Sequence, residues 1–200
     1  MAFRFRKRGG ARRTRRRGAR KGRSRRIRHL AIGVPNTMTT RLKYVDWVTL
    51  TANAGTPQYY AFSTNSCYDP NVTGTGHQPG FFDQLSAMYQ KYIVLGSKFK
   101  ARFVNTSNVR SMQCGILVSN ATSVPNVWST VMEQHGDKAK NVFIGPTGSN
   151  NVGTVTAGWS LKKELRGVRG GSSNYGAAIN ANPTTQNYFL PWFFPDDLTT

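Results

Sequence analysis

Along residues 40–194 the apolar and polar positions alternate with a period of two in several short stretches, the pattern of half-buried strands. Residues 92–105 (YIVLGSKFKARFVN) carry it most clearly. Phe99, Ala101 and Phe103 fall on one side, and Lys98, Lys100 and Arg102 on the other. Side chains alternate across a strand, so this stretch predicts one apolar and one basic face. Residues 40–52 (TRLKYVDWVTLTA) predict a strand with Leu42, Tyr44, Val48 and Leu50 together. Asp46 interrupts that face, and Arg41 and Lys43 lie on the other. Further strands are predicted at 58–64, 111–119, 140–145, 152–165 and 186–194. Pro191 within the last suggests a sheet edge or a bend, because proline donates no ladder hydrogen bond.

Helical periodicity occurs once with conviction. In residues 82–92, Phe82, Leu85, Met88 and Tyr89 recur at amphipathic spacing, which predicts a short helix inserted in a loop. VWSTVMEQ, within the 120–137 loop, suggests a helical turn. Residues 65–80 and 167–185 are rich in Gly, Asn, Ser and Pro and read as long loops. Seven strands, long loops and one short helix predict an all-β fold, a sandwich or jelly roll. No fixed-period repeat is present.

Charge divides the chain in two. Residues 1–29 (MAFRFRKRGGARRTRRRGARKGRSRRIRH) hold thirteen Arg, two Lys and no acid, which is +15 of the formal +20. The other 171 residues carry thirteen cations against eight acids. The first stretch has almost nothing apolar to bury and repels itself, so it is expected to be a disordered arm. Gly33 and Pro35 make a hinge after it, which sets the expected organisation as arm and hinge over 1–36 and a β domain over 37–200. Density of this kind suits a polyanion, because bound Lys and Arg release the counterions condensed on phosphates. Arg also stacks on exposed bases, which favours single-stranded nucleic acid. The expected nucleic-acid and nuclear-import residues are Arg4, Arg6, Lys7, Arg8, Arg12, Arg13, Arg15, Arg16, Arg17, Arg20, Lys21, Arg23, Arg25, Arg26 and Arg28. A run of Lys/Arg is also what import receptors read, so packaging and import can use the same residues. The arm lacks the apolar face of a membrane-surface helix and the apolar core of a signal peptide.

Catalytic and metal signatures are missing. Cys67 and Cys114 form no C-x-x-C pair and are expected as free thiols. Cys67 and His77 match no zinc spacing. The chain has no G-x-x-x-x-G-K-[ST], no G-x-S-x-G and no paired carboxylates of catalytic type, so neither an enzyme nor a cofactor is expected.

The order of motifs adds a resemblance. An Arg-rich arm opening FRFRKR is followed by TRLKYV, by MYQKYIVLGSKFKARFVN and by GILVSN. WSLKKELRG and NPTTQNYFLPWF come last. Taken together these resemble the capsid proteins of circoviruses and related small circular single-stranded DNA viruses. The resemblance implies a single viral jelly roll, about sixty copies self-assembled into a small T=1 icosahedral shell, and an arm directed inward onto circular single-stranded DNA. It implies location in the virion and, during assembly, in the host nucleus, reached through host import receptors; no host cell-surface receptor is identified. It also implies that Arg41, Lys43, Lys98, Lys100 and Arg102 face the lumen as DNA contacts. Sixty arms would neutralise on the order of 900 phosphates. Family members carry one more strand after the Q-N-Y-F strand; by this count it is missing here, through truncation or a different closure of the sheet. The charge pattern alone leaves two other readings open, a satellite RNA-virus coat and a ribosomal-type binder.

Overall fold

The computed structural model describes residues 33–53, 55–134, 139–166 and 171–195. Gly33 to Met38 are exposed and lack regular structure. From Thr39 the chain forms one compact unit. It is mostly β-sheet with a few short helices. The strands are β1 (Gln58–Tyr59), β2 (Phe62–Ser63), β3 (Lys91–Ile93), β4 (Gly96–Val104), β5 (Met112–Ser119), β6 (Ala139–Ile144), β7 (Val152–Ser160), β8 (Gly176–Ala178) and β9 (Tyr188–Pro195). The helices are α1 (Phe82–Ser86), α2 (Trp128–Glu133) and α3 (Leu161–Glu164).

The larger sheet has five strands. β1 and β2 both pair with β9, β9 with β5, and β5 with β6, all antiparallel. β4 and β7 make a separate antiparallel ribbon in register from Gly96↔Ser160 to Val104↔Val152. β3 and β8 form a third, short pair. The main pairs nest in sequence. β5–β6 is innermost, β4–β7 encloses it, and β1/β2–β9 encloses both.

The ribbon lies across one face of the larger sheet. Phe62, Ile116, Val118 and Phe189 from that sheet meet Val155, Ala157 and Trp159 from β7, with Phe99, Ala101 and Phe103 of β4 packed alongside. The Phe99 ring centroid lies 5.2 Å from Phe189 and 5.3 Å from Phe62. Cys114, Ile144 and Phe193 continue this core. The opposite face of the larger sheet presents Leu117, Leu190, Trp192 and Phe194, and Val124 and Val131 from the 120–134 segment cover it. A strand covered on both faces reads as a continuous apolar run, as β9 (YFLPWFFP) does; one covered on one face alternates, as β4 does. Each large apolar side chain fully buried contributes about 1.5–3 kcal/mol.

Several expectations are corrected. Residues 40–52 form no ladder strand. Leu42, Tyr44, Val48 and Leu50 do turn inward, half-buried, but no strand among the described residues pairs with their backbone. The helix expected over 82–92 is only α1, since the chain must become β3 by Lys91, and Met88 is exposed. The 92–105 strand divides into β3 and β4, which have different partners. The strand expected over 152–165 ends at Ser160. There the Leu161 amide donates to Leu95 O at 3.1 Å and its side chain buries, while Lys162, Lys163 and Glu164 turn into α3. Finally, Pro191 is neither at an edge nor at a bend, because β9 lies between β1/β2 and β5. Tyr60 donates to Pro191 O at 3.0 Å. Proline has no N–H to return that bond, so the ladder breaks at residues 60–61 and leaves β1 and β2 as separate pieces.

Candidate nucleic-acid interface

The ribbon positions three of the expected contacts. Lys98, Lys100 and Arg102 alternate with the inward-facing Phe99, Ala101 and Phe103 and are exposed on the outer face of β4. Residues two apart on a strand lie about 6.7 Å apart, so the three cations make a row about 13 Å long. Register places Gly158, Thr156 and Thr154 of β7 opposite them. β4 and β7 contain no Asp or Glu, so the ribbon supplies no counter-charge of its own. Its outer face offers cations and hydroxyls, which suits phosphate oxygens.

Arg41 and Lys43 are also exposed, alternating with Leu42 and Tyr44. They lie on the extended 40–52 segment, not on a paired strand. That segment is fastened by a polar network that the sequence reading did not anticipate. The Asp46 carboxylate accepts from the Tyr44 hydroxyl at 2.7 Å, the Asn71 amide at 3.1 Å and the Trp47 backbone N–H at 2.8 Å. The Tyr60 hydroxyl donates to Asn71 Oδ1 at 3.0 Å. Hydrogen bonding from Tyr44, first among the causes, holds the Asp46 carboxyl below its ordinary pKa. Burial, and then the bond to Asp46, pushes the Tyr44 hydroxyl up.

His77 is the second fastening. Nδ1 lies 2.8 Å from Gln78 O and Nε2 lies 2.8 Å from Val45 O. A carbonyl only accepts, so satisfying both contacts requires the doubly protonated ring. Those two hydrogen bonds, to Gln78 first and then Val45, raise the His77 pKa, and Asp46 adds to the effect. The Tyr44 ring lies 4.6 Å away, close enough for a cation–π contact. The sequence signal was faint: one His in a polar loop and one Asp spoiling an apolar face.

Two shallow hollows stand out among the described residues. One, about 430 Å³, is lined by the Asp46, Asn71 and His77 groups just described and by Trp47. The other, about 320 Å³, is lined by Lys140, Gly158, Trp159, Ser160 and Lys163 at the side of β7 away from β4. No group of three or more His, Cys, Asp or Glu that would hold a metal occurs among the described residues. Cys67 and Cys114 are free thiols, and burial pushes their pKa values up to about 11 and about 12. Asn71 and Asn105, each in an N-x-[ST] sequence, are buried with their amides bonded inside the protein.

The arm residues Arg4, Arg6, Lys7, Arg8, Arg12, Arg13, Arg15, Arg16, Arg17, Arg20, Lys21, Arg23, Arg25, Arg26 and Arg28 lie outside the described residues, as do His29, His135, Asp137, Arg169, Asp196 and Asp197. Against known proteins, the chain matches no family model, no curated protein and no solved structure.

Proposed function

We propose that this chain is the structural capsid protein of a circovirus-like single-stranded DNA virus, a jelly roll that self-assembles into a small icosahedral shell and packages its genome through the arm. The observation that carries the reading is the concentration of +15 in residues 1–29, attached to a β-sheet unit whose own bare face, on β4, is cationic. Nested strand pairing supports the jelly roll. Such a fold is one long antiparallel hairpin rolled into two packed sheets, and β5–β6 inside β4–β7 inside β1/β2–β9 is its order. Residues 40–52 occupy the next position outward. The many exposed large apolar side chains, Trp47, Phe81, Val109 and Phe143 among them, support burial between copies.

The arm acts as a polycation on phosphates and as a nuclear-import signal; Arg41, Lys43, Lys98, Lys100 and Arg102 form the fixed part of the genome-facing surface. The chain needs no catalytic group or cofactor for this role. The test is electron microscopy of the expressed protein with and without residues 1–29, together with the nuclease-protected nucleic acid per particle. Uniform small shells that lose their nucleic acid on deletion of the arm are expected. Monomers only, or arm-deleted shells that still protect a full genome, would refute the proposal.

A further inference from the structure

The turn before α1 carries its aromatic residue at a cost. The Phe82 amide donates to Pro79 O at 3.0 Å, closing a turn over Pro79–Gly80–Phe81–Phe82. Phe81 sits third in it at φ 67°, ψ 5°. That position of a type II turn requires positive φ and therefore favours glycine. The glycine is one place early, at Gly80, and an aromatic takes the left-handed conformation. Phe81 gains little burial in return. Its side chain is 77% exposed and meets no aromatic ring among the described residues. Its neighbour Phe82 does the internal work, buried edge-on against Tyr92. Backbone strain persists where something outside the local chain requires it.

Charge indicates what that is. Asp83 stands exposed two residues on, and its carboxylate makes no hydrogen bond or ion pair among the described residues. Phe81 and Asp83 thus form an apolar and acidic knob on a chain whose surface is otherwise mostly cationic. The hollow beside β7 is complementary in charge, with the exposed Lys140 at its edge and no side chain at Gly158 to fill it. Its volume, about 320 Å³, accommodates a Phe ring.

We propose that Phe81 and Asp83 dock a second copy of this chain at its Lys140–Trp159–Lys163 hollow. The inference rests on the assembly proposed above and names the contact that makes it. Knob and hollow are different surfaces, so the contact is head-to-tail and closes into a ring or shell when the rotation allows.

The test compares Phe81→Gly, Asp83→Lys, Lys140→Glu and the Asp83→Lys/Lys140→Glu pair in the full chain. Assembly is read by sedimentation and electron microscopy across concentration, and thermal melting is read on dissociated protein. Phe81→Gly relieves the strain and is expected to raise Tm by about 2 °C or more. It is also expected to raise the concentration needed for assembly at least about tenfold, as loss of a central aromatic anchor does. Each charge reversal should impair assembly and the pair should restore it. The proposal is overturned if Phe81→Gly assembles at the wild-type concentration, or if the paired reversal is no better than the worse single one; the capsid reading survives either result. If the wild type forms no assembly at any concentration, both fall.

Discussion

Replacing Lys98, Lys100 and Arg102 together by Ser tests the cationic row on β4 with a calculable outcome. The three side chains are exposed and face only Gly158, Thr156 and Thr154 across the ribbon. Removing them opens no cavity, and surface changes of this kind alter stability within about 0.5 kcal/mol each. On single-stranded nucleic acid each phosphate contact contributes about 0.7 to the slope of log affinity against log salt. Three contacts therefore contribute about 2.1. Between 50 and 200 mM salt, a fourfold change, the affinity ratio of wild type to variant should shrink by roughly 18-fold, or about 1.7 kcal/mol. Fluorescence anisotropy with a labelled oligothymidine, below the assembly concentration, measures both slopes. The same charge removed elsewhere, by Lys91, Lys140 and Lys162 to Ser, serves as control. An unchanged slope in the β4 variant, or an equal loss in the control, would refute the assignment of this face to phosphates.

Two further predictions concern the fold. Gly115 lies in β5 where an added Cβ would fall well inside contact with the Lys140 carbonyl and the Trp192 ring, whereas Gly158 is open. Gly115→Ala should cost about 1–3 kcal/mol or more in urea unfolding while Gly158→Ala stays near neutral, and equal effects would contradict the close packing of Trp192 on β5. His77 has a folded pKa raised above the ordinary imidazole value, so its fastening is complete below about pH 6.5 and is lost as pH rises through the folded pKa. Amide protection of Gly80, which donates to Lys43 O, and of Trp47, which donates to Asp46, should fall across that window in wild type and be low throughout in His77→Gln; pH-independent protection in wild type would contradict the clasp.

What could be read in the sequence depended on how many layers touch each strand. β4 alternates because one face meets Phe62 and Phe189 and the other meets solvent, so its basic row was legible residue by residue. β9 showed only its apolarity, since Val124 and Val131 cover a face that no periodicity marks. Pro191 was misread because the general rule places proline at edges, whereas here the neighbouring strand breaks instead. Residues 40–52 have strand composition, but a strand also needs a neighbour's N–H and C=O groups, which composition does not report. The His77 and Asp46 fastenings were not legible, as the bonds that tie them across the fold, His77 to Val45 O and Asn71 to Asp46, join residues more than twenty apart.

The nested pairing also dictates a timetable. β5 and β6 lie close in sequence and can meet early, whereas β2 finds its partner only at Tyr188, and 188 − 63 = 125 residues separate them. Closing that loop costs only about 1.6 kcal/mol more than closing the twenty residues between β5 and β6, so waiting dominates over entropy. At about 5–20 residues per second, a ribosome needs roughly 6–25 s to make the intervening chain. During that interval β1 and β2 have been made but lack the strand they pair with, and residues 1–29, with their +15, have been made before the sheet can close.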